Sequence, residues 1–195
     1  MMIALILIML LVTSPGEDIL DKVTSHYSKA SGIQWTMKSA SYSPIFNETE
    51  NTTVEFYYNP PDTFYFKGLN EETIGIADTI WTMSRKHHQI QKRLSEDNPM
   101  PTDYILNWKA RYDLVGNTAS EKGMEFDLKA HEGVIPPEIK FAIDKYNHLK
   151  SLYYKDASGN DVKLTVTKEK LARTKNLGLF YQNIPSGFKL IDLMK

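Results

Sequence analysis

Val54-Glu55-Phe56-Tyr57-Tyr58-Asn59-Pro60-Pro61-Asp62-Thr63-Phe64-Tyr65-Phe66-Lys67 decides the fold. Val54, Phe56 and Tyr58 alternate with Glu55 and Tyr57, and Phe64 and Phe66 alternate with Thr63, Tyr65 and Lys67. A period of two sends successive side chains to opposite faces of a pleated strand. Asn59-Pro60-Pro61-Asp62 interrupts the run with turn chemistry, so the stretch reads as two strands about a turn. The same alternation spreads outward. Ile33, Trp35 and Met37 alternate with Gln34, Thr36 and Lys38, and Trp81 and Met83 alternate with Thr82 and Ser84. Further strands are predicted at Ile74/Ile76, Gln89 to Leu94, Tyr112/Leu114 and Met124/Phe126/Leu128. Others follow at Ile139/Phe141/Ile143, Leu149 to Tyr154 and Val162/Leu164/Val166. That is roughly ten or eleven short strands. No strand–helix alternation accompanies them, which disfavours a parallel sheet. An antiparallel sheet of this size must hide one face, by curling on itself or by taking a helix as cover.

Helical signals sit in two places. Ile19, Leu20, Val23 and Tyr27 form an apolar stripe over Glu17 to Ala30, acids crowd the first turn, and Gly32 follows as a stop. Asn98-Pro99-Met100-Pro101-Thr102-Asp103 breaks the strand pattern, and Tyr104, Ile105 and Trp108 then share helical spacing. Ahead of both, Met1 to Val12 is an unbroken apolar run. As a helix, twelve residues rise about 18 Å, too little for a hydrocarbon core of about 30 Å. Small residues follow it, Ser14 and Gly16 suiting the -3 and -1 positions of a signal-peptide cleavage site. Residues 1–16 are therefore expected to be a signal peptide, and 17–195 one domain.

Composition narrows the function. The chain has 195 residues, 23 Lys+Arg against 24 Asp+Glu, and no Cys. The net charge of -1 gives no bulk attraction to phosphate, so no nucleic-acid partner is expected. Without Cys there is no disulfide, thiolate metal site or thiol nucleophile. No G-x-S-x-G, P-loop, G-x-G-x-x-G or H-E-x-x-H occurs. Adjacent His87 and His88 would point to opposite faces if their segment is a strand, and all five histidines, His26, His87, His88, His131 and His148, read as solvated strand or turn residues. No catalytic residue, metal or cofactor is expected. Asn47-Glu48-Thr49 and Asn51-Thr52-Thr53 match the glycosylation sequon, and Arg85-Lys86-His87-His88 and Lys168 to Lys175 read as solvated basic faces.

What remains is an aromatic and Met inventory on one parity of each strand: Trp35, Met37, Phe56, Phe64, Phe66, Trp81, Met83, Phe126 and Phe141. These side chains either plug a core or line an apolar cavity able to hold a ligand. In the second reading, Met100, Tyr104, Ile105 and Trp108 belong to a lid over the concave face.

Several of these stretches, in order, resemble one family. The first strand Gln34-Trp35-Thr36-Met37-Lys38 is followed by Phe56 to Phe64 and Ala77-Asp78-Thr79-Ile80-Trp81-Thr82-Met83, then by a Pro-containing helix. Leu152-Tyr153-Tyr154-Lys155-Asp156-Ala157-Ser158-Gly159-Asn160 and Phe180 to Asp192 complete the series, and D-x-x-G-N with F-x-x-x-x-P-x-G-x-x-x-I-D is its most specific part. The series is similar to the periplasmic outer-membrane lipoprotein carriers, the LolA family, over essentially the whole chain after residue 16. The resemblance implies a mainly β (α+β) fold, an unclosed antiparallel β-barrel or strongly curved sheet with an N-terminal helix and a helical lid. It implies a monomeric periplasmic carrier of acylated lipoproteins or other lipids, served by an inner-membrane ABC exporter and an outer-membrane receptor, with binding and release as its only chemistry. The family often shows K-R-P before the second Phe, its Arg latching the lid. With that proline aligned to Pro61, Pro60 takes the Arg position, so the family's latch is missing there and Asn59 and Asp62 are the candidates to hold the lid differently. A second reading keeps the sheet and drops the shuttle: a sensor or binding domain for another lipid or a partner protein.

Overall fold

The structure is a computed structural model and describes residues 15–94, 102–156, 158–175 and 177–194. Helix α1 (Pro15–Ser28) opens the chain, followed by β1 (Ile33–Ser43), β2 (Glu48–Asn59), β3 (Thr63–Lys67), β4 (Glu71–Ile76), β5 (Thr79–Ser84) and β6 (Gln89–Leu94). Two one-turn helices, α2 (Asp103–Leu106) and α3 (Trp108–Arg111), come next. Strands β7 (Tyr112–Ser120), β8 (Gly123–Ala130), β9 (Glu138–Asp144), β10 (Leu149–Lys155) and β11 (Asp161–Lys170) follow. A 3₁₀ turn (Leu179–Tyr181) and β12 (Lys189–Asp192) close the chain. Residues 1–14 of the expected signal peptide lie outside the described residues; Pro15 and Gly16 open α1. Gly16 packs so tightly on β7 that a Cβ there would sit 2.3 Å from the Asn117 side-chain nitrogen.

The strands form one twelve-stranded sheet in the order β12-β6-β5-β4-β3-β2-β1-β11-β10-β9-β8-β7. β7 and β12 are its two unpaired edges, so the barrel is unclosed, as expected for this fold class. Hairpins build it almost throughout, and the pairing is antiparallel except where β12 runs parallel to β6. That one parallel pair departs from the antiparallel pattern. It arises because the chain crosses under the sheet between β11 and β12 before returning to the β6 edge.

The strands divide their side chains between two covered faces. On the concave face, Trp35, Met37, Phe56, Phe64, Phe126 and Phe141 join Leu20, Val23 and Tyr27 of α1 and Tyr104, Ile105 and Trp108 of α2 and α3. Trp35 stacks on Phe56 and Phe126 on Phe141, with ring centroids 5.5 and 5.0 Å apart. The convex face of β2 to β6 carries a second, smaller cluster of Tyr65, Ile74, Met83 and Ile90, covered by Leu177 and Phe180. Asn59 pins that cover: its Nδ2 donates to the Thr174 carbonyl at 2.8 Å and its Oδ1 accepts from the Thr174 N–H at 3.0 Å.

Among the described residues, Glu72 is the one buried acid. Tyr65 donates its hydroxyl to Glu72 Oε2 at 2.6 Å, and Arg85 pairs with Oε1. Burial works against the charged form, but the Tyr65 and Arg85 contacts outweigh it and hold the carboxyl below its ordinary value. Burial and the same carboxylate push the Tyr65 hydroxyl well above its usual range, which keeps it a donor. A carboxyl whose folded value is depressed contributes stability above its unfolded value and loses it as pH falls through the folded one. Glu72→Gln is therefore expected to cost about 1–3 kcal/mol near neutral pH. In urea unfolding, the deficit should shrink below the normal glutamate range; a deficit independent of pH would contradict it.

Candidate functional site

A groove of about 720 Å³ opens on the concave face, beyond the region that α1 fills. Its floor is apolar: Val54 of β2, Phe64 and Phe66 of β3, Tyr154 of β10, and Val162 and Leu164 of β11. The floor follows from pairing. Tyr58 and Phe56 stand opposite Phe64 and Phe66, so the hairpin that decides the fold also places two rings side by side. Gly75 stands opposite Phe64 on β4 and leaves room for its ring; a Cβ there would fall 1.9 Å from Phe64 Cε1.

The walls are hydroxyl-rich. Ser39 and Ser41 of β1, Thr52 of β2, Thr73 of β4, and Thr82 and Ser84 of β5 line them, with the Thr73 and Thr82 hydroxyls 3.2 Å apart. Charges sit at the rim: Glu50 and Glu71, with Lys86 and His87 of the β5–β6 turn and Arg93 of β6. Burial and Asp156 raise the Tyr154 hydroxyl above its ordinary value. Tyr154 also packs on Tyr104, with ring centroids 6.0 Å apart, so α2 borders the groove. The arrangement can hold an amphiphile, its chain on the aromatic floor and its polar end among the rim groups.

The sequence-predicted residues divide into three sets. Phe64 and Phe66 line the groove. Trp35, Met37, Phe56, Phe126 and Phe141 lie in the buried core cluster that α1 covers, not on the groove wall. Trp81 and Met83 lie on the opposite face of the sheet: Trp81 packs near Tyr181, 6.4 Å between ring centroids, and Met83 joins the convex cluster. The single-face assignment fails on β5 because the C-terminal segment makes its convex side apolar as well. Ile80, Thr82 and Ser84 are the concave residues there, standing opposite Gly75, Thr73 and Glu71.

Among the lid residues, Met100 lies outside the described residues. Tyr104, Ile105 and Trp108 are buried and belong to the core cluster. The Ile105 carbonyl accepts from the Thr24 hydroxyl at 2.8 Å, and Lys109 pairs with Asp21 at 2.7 Å, so both one-turn helices are tied to α1. Burial pushes the Tyr112 hydroxyl beside them up to about 12 against the lowering field of Arg111. Asn59 holds the Thr174 backbone and not these helices.

Of the histidines, only His26 falls outside the expected strand or turn surroundings, since it lies in α1. His87 and His88 occupy the β5–β6 turn. His26 of α1 and His148 of the β9–β10 turn meet Glu169 of β11, with one ligand-type atom from each all within 4.8 Å of one another. No sequence spacing could have signalled this cluster, because its members come from distant stretches. The residues that finish the groove floor, Tyr154, Val162 and Leu164, were legible as strand residues; only the closing of β1 onto β11 brings them to Phe64 and Phe66.

No protein-family model matches the chain, and no curated protein sequence matches it. Solved structures do. An uncharacterized conserved protein from Thermus thermophilus is 17% identical and aligns over 92% of this chain and 99% of that one at a TM-score of 0.55. A LolA superfamily protein from Nitrosomonas europaea is 10% identical, over 83% and 96% of the two chains, at a TM-score of 0.47. A putative outer membrane lipoprotein-sorting protein domain from Vibrio parahaemolyticus is 9% identical, over 86% and 96%, at 0.48. The Thermus thermophilus protein shares the fold of this chain, and at that identity the likeness concerns fold alone. The architecture implied by the LolA resemblance, an unclosed curved antiparallel sheet with an N-terminal helix, is the one observed. No helix among the described residues is long and apolar enough to cross a membrane.

Proposed function

We propose that the protein is an exported, non-catalytic carrier that holds acyl chains of a lipoprotein or another lipid in the concave groove. The carrying observation is the groove itself, about 720 Å³ with Val54, Phe64, Phe66, Val162 and Leu164 on its floor. Small-molecule sites run to about 300–1,000 Å³ and are mostly apolar with a few polar groups at one end. Moving an acyl chain from water onto such a floor gains about 0.8 kcal/mol per buried CH₂. A groove open along one side shelters the chain and still lets it leave. The LolA-like order of sequence motifs supports lipoprotein cargo, a periplasmic location, and handover from an ABC exporter to an outer-membrane receptor. The burial of Trp35, Met37, Phe56, Phe126 and Phe141 beneath α1 favours the second reading, a binding domain of the same architecture that does not shuttle.

Two measurements test the carrier reading. Protein purified from an expressing Gram-negative host is extracted and its lipid identified by mass spectrometry, and delipidated protein is titrated with a fluorescent fatty acyl probe. Co-purified acyl lipid and saturable 1:1 uptake are expected. Absence of both leaves the chain a binding domain for something other than lipid.

A further inference from the structure

Three metal-ligand side chains meet at the end of the sheet away from the groove, five residues beyond Leu164 along β11, or roughly 17 Å. Glu169 reaches them through an irregularity in the strand. Val162, Leu164 and Val166 alternate onto the concave face, and continued alternation would bring Lys168 inward. The register with β1 shifts between Thr36 and Met37, which face Lys168 and Val166, so Thr167 is an extra residue. Glu169 consequently comes opposite Trp35. A bulge re-aims side chains in this way. Here it turns a carboxylate toward the core, where a charge is costly unless it is partnered.

The partners come from three elements. Tyr27 of α1 and Trp35 of β1 donate to Glu169 Oε2 at 2.6 and 2.7 Å. His148 Nδ1 meets the other carboxylate oxygen. His26, in the last turn of α1, sets its ring edge-on to His148 with centroids 4.9 Å apart. Its Nε2 is buried and has no hydrogen-bond partner among the described residues. His148 already meets that carboxylate oxygen, so the second imidazole is surplus to the pair and brings an unpartnered ring nitrogen to the same place.

We propose that His26, His148 and Glu169 bind one Zn²⁺ ion. A divalent cation accepts two imidazole nitrogens and a carboxylate together, and gives the unpartnered nitrogen a partner. Two nitrogens and one oxygen suit zinc, whereas Mg²⁺ and Ca²⁺ prefer all-oxygen sets. Three protein ligands leave a fourth position for water. Tyr27 and Trp35, bonded to the second oxygen of Glu169, orient the carboxylate as outer-shell donors do. The His148 side chain is 38% exposed, which gives the ion a route in. Bound there, the ion clasps the C-terminal end of α1 to the β9–β10 turn and β11. The site is separate from the groove and does not rest on the carrier reading.

The test is equilibrium dialysis of chelator-treated protein against Zn²⁺, with Mg²⁺ in parallel, and thermal unfolding at rising Zn²⁺. Wild-type protein should take up one Zn²⁺ per chain and no Mg²⁺, and its melting temperature should climb with zinc concentration as ligand linkage requires. Tyr27→Phe should weaken zinc binding by roughly 10–100-fold, the cost of losing an outer-shell partner. His26→Gln and His148→Gln should each cost more than that. His148 stands in a turn, so its variant should keep the wild-type circular dichroism spectrum. Wild-type protein with no saturable zinc uptake overturns the site, as does undiminished uptake by a folded His26→Gln/His148→Gln double variant.

Discussion

Trp35→Ala should lower stability by about 3–5 kcal/mol, the range for emptying a large aromatic site in a packed core. In a domain of this size that is a fall in melting temperature of about 6–20 °C. Trp35 is 2% exposed, stacks on Phe56, and meets Tyr27 edge-on with centroids 5.5 Å apart. Its indole N–H also donates to Glu169, so the alanine variant leaves both a cavity and a carboxylate short of a donor. Trp35→Phe keeps most of the volume and loses only that bond, so it should cost about 1.5–3 kcal/mol, the worth of a hydrogen bond to a charged group. Chemical denaturation monitored by far-UV circular dichroism distinguishes the two. If Trp35→Ala loses less than about 1 kcal/mol, Trp35 faces open space and the core beneath α1 is not solid.

Phe66→Asp should reduce affinity for a fluorescent acyl probe by about 10–60-fold. Phe66 is half-buried on the groove floor, so a carboxylate there is tolerated by the fold but not by an acyl chain lying on it. Losing contact with two or three methylenes removes about 1.6–2.4 kcal/mol, which sets the size of the effect. Trp81→Ala is the comparison: Trp81 lies on the convex face against the C-terminal segment and should leave probe affinity unchanged. The reverse pattern, loss in Trp81→Ala with none in Phe66→Asp, would move the binding surface to the other face of the sheet.

The contrast between Phe66 and Trp81 marks how far the sequence could be read. Both residues sit in clean apolar–polar alternation. For β3 the apolar set chosen by alternation, Phe64 and Phe66, is the one the fold turns to the groove. For β5 it is not. Alternation reports which side chains share a face, not which face is concave, and a sheet covered on both sides offers two apolar destinations. Residues 177–188 supply the second cover, and nothing in the pattern at Trp81 and Met83 encodes their return. The helical spacing of Tyr104, Ile105 and Trp108 is real, but their docking on α1 places them in the core, bordering the groove through Tyr154. Glu169 is harder still, since a single extra residue at Thr167 reverses the face of everything after it.

By itself, the sequence determined what short-range periodicity can carry: an antiparallel sheet of many short strands, an amphipathic N-terminal helix, a helical interruption before Tyr112, and no recognisable catalytic motif. These depend on residues two to four positions apart, where strand pleat and helix pitch act directly. Only the tertiary structure decided which apolar side chains fill space and which line it. It also decided that β5 turns Trp81 away from the groove, and that His26, His148 and Glu169 meet. Those outcomes depend on how a twelve-stranded sheet curls and on where its last segment crosses, contacts between residues far apart in the chain whose geometry no local pattern contains.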